Sequence, residues 1–137
     1  MKRRFGFLIV LAVLGGFSAI KVSAQNSRLD RQVRHEILTL PYYGVFDAIG
    51  YELNGSTVTL SGYVVRPTTK RGAEESVEDI EGVSQVINRI EVLPLSPSDD
   101  RLRYRLLQTL SGGGGALYRY FMGANPAIRI IVNRGRV

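Results

Sequence analysis

Two stretches with a period of two, Ile49-Gly50-Tyr51-Glu52-Leu53 and the run carrying Val58, Leu60, Gly62 and Val64, flank the turn Asn54-Gly55-Ser56. Alternation on both sides of an Asn-Gly turn commits the chain to an antiparallel hairpin, because the turn needs the positive φ that Asn and Gly accept. Upstream, Leu29, Val33, Ile37 and Leu40 recur at helical spacing, with Arg31, Arg34, His35 and Glu36 turned outward, and Pro41 stops the helix. Downstream, Pro67-Thr68-Thr69 opens a second helix with Ala73, Val77 and Ile80 inward and Glu74, Glu75, Glu78 and Asp79 on its wet side. Gly82 stands where a helix C-cap belongs. Val86-Ile87-Asn88-Arg89-Ile90-Glu91-Val92 alternates again and reads as a strand. Residues 28–92 thus predict an α+β fold, an αββαβ module with amphipathic helices packed on a three-stranded sheet.

After a short stiff linker over residues 93–99, with Pro94 and Pro97, the pattern restarts. Leu102, Leu106, Leu107 and Leu110 repeat the first helix's apolar face, and Ile128, Ile130 and Val132 repeat the rhythm of Ile49, Tyr51 and Leu53. Asn133-Arg134-Gly135-Arg136-Val137 falls where Asn54-Gly55-Ser56-Thr57-Val58 fell. Residues 100–137 are therefore expected to be a partial second copy, a helix plus a strand, with a longer middle containing Gly112 to Gly115. A helix and one strand cannot bury their own apolar faces. Either the sequence stops inside a second repeat, which the repeat logic favours, or the last strand is completed by another chain or by the first sheet.

The first residues read as a secretory signal. Lys2, Arg3 and Arg4 precede an uncharged run from Phe5 to Ile20, and Val22 and Ala24 occupy the positions a signal peptidase reads. The run of 16 residues falls short of the roughly 20 that a spanning helix needs. Cleavage after residue 24 leaves 14 basic and 12 acidic residues, a net charge of +2 in place of +6. That balance argues against a general nucleic-acid binder. The remaining charge is uneven: residues 25–97 carry −3, and residues 98–137 carry +5, all of the basic groups there being arginine.

No arrangement of side chains in the sequence assembles a catalytic or metal site. With no cysteine and one histidine, His35, on an exposed helix face, disulfides, thiolate metals and histidine clusters are excluded within one chain. Glu74, Glu75, Glu78 and Asp79 lie along a solvated face, without the loop spacing of a calcium site. Gly112 to Gly115 lacks the Gly-Lys-Ser/Thr of a phosphate loop, and Asn54-Gly55-Ser56, a glycosylation acceptor as a string, reads as the turn itself. No cofactor is expected, and an exported hydrolase, the third reading, has no nucleophile, base or metal set to support it.

The strand–turn–strand run Asn54-Gly55-Ser56-Thr57-Val58-Thr59-Leu60-Ser61-Gly62 and the later Glu81-Gly82-Val83-Ser84-Gln85-Val86-Ile87-Asn88-Arg89-Ile90 resemble the BON domain, named for bacterial osmotically inducible and nodulation proteins. The resemblance covers residues 28–92 fully and 100–137 as a first half. It implies a periplasmic protein, often with tandem copies and without catalytic residues, that binds phospholipid or envelope surfaces and serves osmotic or envelope stress protection. The chain departs from the pattern at Tyr42 and Tyr43, which sit beside a glycine, and in its Gly-rich second middle.

The residues expected to contact anionic lipid are Arg101, Tyr104 and Arg105 on the second leading helix, with Tyr118, Arg119, Tyr120 and Phe121 beyond the glycines. Arginine binds phosphate in bidentate geometry, and tyrosine and phenylalanine settle at a membrane interface. The competing reading makes Leu117, Tyr120 and Phe121 core, as Val45, Phe46 and Ile49 would be in the first copy. The partner expected is an anionic phospholipid or another envelope component, not nucleic acid. The alternative is a protein-interaction or assembly module, including self-association, in which the incomplete second sheet pairs with a partner strand.

Overall fold

Leu29, Val33, Ile37 and Leu40 are all buried, lined along one side of α1 (Phe17–Thr39) and just past its end. This computed structural model describes residues 17–112, 117–121, 123 and 125–137, with side chains from residue 26 onward. Most of the expected signal segment, residues 1–16, lies outside the described residues, and residues 17–24 form the start of α1. Among the described residues no helix is long and apolar enough to cross a membrane.

The hairpin forms as the alternation predicts. Strand β1 (Ala48–Asn54) runs antiparallel to β2 (Thr57–Val64), with Tyr51 opposite Leu60 and Leu53 opposite Val58. At the turn only Gly55 takes a positive φ, 62°, while Asn54 and Thr57 close the ladder on either side of it. Gly62 lies opposite Ile49 in that ladder. Its φ is 117°, and a Cβ there would sit 2.0 Å from the carbonyl oxygen of Ala48, so the glycine admits the neighbouring strand.

From β2 the chain crosses through α2 (Pro67–Glu78), with proline in its first turn, to β3 (Gln85–Val92), which pairs parallel to β2. A parallel return needs such a crossover, and the order is β1-β2-β3. The C-cap of α2 is Asp79, so Gly82 lies in the turn beyond the helix and not at its cap. Helices α1 and α2 cover one face of the sheet, enclosing Val33, Ile37, Val58, Leu60, Ala73, Val77 and Ile90. Asn88, in an inward register position of β3, donates Nδ2 to the Lys70 carbonyl and to Glu74 Oε2, both at 3.0 Å, and its Oδ1 accepts from the Ile90 amide. The αββαβ expectation for the first module describes what is observed.

The second half begins earlier than the linker reading implied. The Leu93 amide still donates to the Val64 carbonyl at 2.8 Å, and α3 (Pro97–Ser111) starts at Pro97, capped by the Ser96 hydroxyl. A short helix α4 (Tyr118–Phe121) follows. Residues 128–132, expected as a strand, run extended but join no sheet. The Ile130 amide instead donates to the Val45 carbonyl at 2.8 Å, and the segment ends in a two-residue turn bridged between Asn133 and Arg136. Arg134 and Gly135 at its centre both have positive φ.

A second core gathers Phe121, Ile130 and Val132 with the inner side of α3, and Val45 and Phe46 from the first module pack into it. Buried carboxylates tie the two halves down in the same manner. Asp47 accepts from the amides of Gly44 and Val65, at 3.0 and 2.8 Å. Asp99 accepts from those of Arg134 and Gly135, at 2.8 and 3.0 Å.

Candidate functional site

The side chains of α3 divide by helical spacing into two faces. Leu102, Arg103, Leu106, Leu107 and Leu110 turn inward, and Arg101, Tyr104 and Arg105 turn to solvent. The first turn carries Asp99 and Asp100, which suits the positive end of the helix dipole. Tyr104 is 61 % exposed, yet its ring edge rests on Phe46 with centroids 5.3 Å apart at 80°. The aromatic body is held in place while its surface stays open.

Around Tyr104 the fold gathers residues that are distant in sequence. A groove of about 300 Å³ is lined by Phe46, Val65, Arg66, Leu93, Leu95 and Tyr104, together with Asp100 and Arg103. Leu95 projects with 97 % of its surface exposed, and Tyr42, 77 % exposed, lies under the Arg66 guanidinium at 5.2 Å. Arg66 and Leu95 were not singled out from the sequence, and Tyr42 stood out there only as a departure from the family pattern. Leu95 carried a faint signal, an apolar residue in a Pro-bounded connector; Arg66 is an ordinary charge ahead of a helix and carried none.

Arg103, absent from the expected contacts, is 3 % exposed. One guanidinium nitrogen meets Asp100 Oδ1 at 2.5 Å, the other donates to the Val132 carbonyl at 2.6 Å, and Nε has no partner. It binds α3 to the extended segment. Arg129 does similar work elsewhere, donating to the Gly44 carbonyl at 2.6 Å and lying 4.4 Å over the Tyr43 ring.

The residues expected beyond the glycines separate. Tyr118, Arg119 and Tyr120 are exposed on α4, which packs against α3, and Arg119 both donates to the Tyr120 hydroxyl and stacks over its ring at 4.9 Å. Phe121 is 6 % exposed and belongs to the second core, so its ring has almost no surface for a ligand. Of the two readings of this residue, the structure shows packing.

The other singled-out groups stay dispersed. His35 is exposed, Glu75 pairs with Arg71 at 3.7 Å, and among the described residues no three His, Asp or Glu side chains converge as metal ligands. Tyr51 has its pKa raised above the ordinary value. Burial raises it first, and the hydrogen bond to Asp30 and that residue's charge raise it further, while Arg34 opposes them.

What this arrangement offers is a mixed cationic, aromatic and aliphatic surface beside a compact αββαβ module. Comparison with curated proteins gives no match. The model of the BON domain matches residues 25–94, half of the chain and the whole of that module. BON domains are associated with phospholipid binding in envelope and osmotic-stress proteins, are generally non-catalytic, and are typically found in the envelope or periplasm. The helix–hairpin–helix–strand order, the glycine that admits β1 against β2, and the asparagine that stitches β3 to α2 all fall inside the matched residues, and the chain belongs to the BON domain family.

Proposed function

We propose that the protein is a non-catalytic, exported envelope protein that binds anionic phospholipid surfaces through the outer face of α3 and its surroundings, in osmotic or envelope stress protection. The observation that carries this reading is the clustering of exposed Tyr104 and Leu95 with Arg66, Arg101 and Arg105. A leucine almost wholly in water favours an apolar phase, tyrosine suits the headgroup level, and each cation near an anionic surface contributes about 1 kcal/mol. Tyr118, Arg119 and Tyr120 on α4 extend the surface. Arg103 is excluded as a direct contact because its charge is buried against Asp100.

The reading includes export, with a signal over residues 1–24, and a second module begun by residues 100–137. The two-residue turn at Asn133 and Arg136 stands where the pairing of Asn54 with Thr57 stands in the first module, which supports the repeat. Cosedimentation with anionic and with neutral liposomes tests the lipid reading. Preferential pelleting with the anionic vesicles is expected. The double variant Arg101→Glu/Arg105→Glu should weaken it by at least about 2 kcal/mol, roughly thirtyfold, at low salt. Equal binding to both vesicles, or binding indifferent to that variant, rejects it.

A further inference from the structure

The groove beside Tyr104 offers more than surface charge. Its walls are Phe46, Val65, Leu93, Pro94 and Leu95, with the Tyr104 ring set edge-on to Phe46. Their main-chain donors are largely spent. The Val65 amide goes to Asp47 and the Leu93 amide to the Val64 carbonyl, both at 2.8 Å, and Pro94 has no N–H to give. A peptide lying against these walls would bury its own N–H and C=O groups without partners, a costly arrangement, whereas an alkyl chain has no such groups to bury.

The charge left over at the groove is positive. Asp100 is paired with Arg103, and Asp47 is buried with its carboxylate held by the Gly44 and Val65 amides. Arg66 is exposed, makes no salt bridge among the described residues, and is steadied by the Tyr42 ring at 5.2 Å. Arg101 and Arg105, on the helix that carries Tyr104, are exposed and likewise without an acid among the described residues. An apolar trough with uncompensated guanidinium at its side is complementary to a molecule with a hydrocarbon body and an anionic head.

Resting on the phospholipid reading above, we propose that this groove takes a segment of the acyl chain of a single anionic lipid, with the phosphate at Arg66 and the chain along Phe46, Val65, Leu93 and Leu95. Small-molecule sites are mostly apolar clefts with a few polar groups, of about 300 Å³ upward, and this one reaches that size. It has room for roughly ten groups the size of a water molecule, to which a methylene is comparable. Leu95, 97 % exposed, would gain cover from such a chain.

The test titrates the ¹⁵N-labelled chain with n-butyl, n-hexyl and n-octyl phosphate as monomers, and with 1-octanol, inorganic phosphate and acetyl-Leu-Leu bearing a free carboxylate. Affinity should climb from butyl to octyl phosphate by up to about fourfold per methylene, with amide shifts centred on Val65, Leu93 and Leu95. Inorganic phosphate should produce no such shifts. Leu95→Asn should weaken octyl phosphate by up to about tenfold, and Arg66→Gln by up to about fivefold while leaving 1-octanol unchanged. Both side chains are exposed, so neither change threatens the fold. The proposal is overturned by equal affinity across the alkyl series, by shifts that avoid the groove, or by acetyl-Leu-Leu binding more tightly than octyl phosphate. Anionic liposomes that bind while octyl phosphate does not would reject the groove alone. Octyl phosphate in the groove without liposome binding would support the groove and reject the membrane surface.

Discussion

The first module and the second half are built from similar sequence patterns but hold together differently. The first closes its apolar face on itself, with both helices over one sheet and every inward position of β2 from Val58 to Val64 buried or held by glycine. Among the described residues the second has no sheet. Among the described residues, only Phe121, Ile130 and Val132 are fully buried hydrophobics there, and the leucines of α3 are only partly covered. It is completed by Val45 and Phe46, which the first module supplies. A helix and an extended segment cannot enclose a core alone, so the second half borrows one.

Four changes would break or sharpen this contrast. The largest effect is expected at Gly62→Ala, where a Cβ 2.0 Å from the Ala48 carbonyl forces β1 and β2 apart, in a backbone conformation that side chains rarely adopt. It should cost about 3 kcal/mol or more and lower the stability of the whole chain, as read by urea denaturation. Phe46→Ala should cost about 2–3 kcal/mol, less than a fully buried phenylalanine would. Its loss should fall unevenly, with hydrogen exchange accelerating in α3 and residues 128–132 while β2 and β3 keep their protection. Uniform acceleration would mean that the two halves form one cooperative unit, and the contrast would fail.

A smaller effect belongs to Arg103→Met. It keeps the volume but deletes the bonds to Val132 and Asp100, and Asp100, half exposed, can turn to water. A cost of about 1–2 kcal/mol, confined to the second half, is expected in thermal unfolding. The smallest is Tyr51→Phe in the first module. Because the Tyr51 pKa is raised in the folded chain, its contribution is whole below the ordinary value of 10.0 and fades as pH rises through the folded value. The natural chain should lose stability more steeply above that pH than the Phe variant, which lacks this ionisation.

Much of the first module was legible because its signals are local and repeated. The spacing of Leu29, Val33 and Ile37, the alternation around Gly55, and Pro67 at a helix start each report a periodicity that buried faces impose. Gly62 stands in the alternating run as an inward position without a side chain, but only the strand register identified the Ala48 carbonyl as the reason. Residues 128–132 have the alternation of a strand, yet alternation records which side is buried, not whether a neighbouring strand exists to pair with.

For the binding surface the division is sharper. Arg101, Tyr104 and Arg105 were readable because one helical face carries them, but Phe121 was readable only as aromatic, and packing against Ile130 and Val132 removed it from the surface. Arg66, Tyr42 and Leu95 join Tyr104 through chain reversals that no local pattern encodes. By itself the sequence determined the elements of the first module, their apolar faces and the concentration of arginine toward one end, since these depend on neighbours a few residues apart. Only the tertiary structure decided which exposed groups meet and that the second half shares the first one's Val45 and Phe46. Those outcomes depend on contacts between residues far apart in the chain.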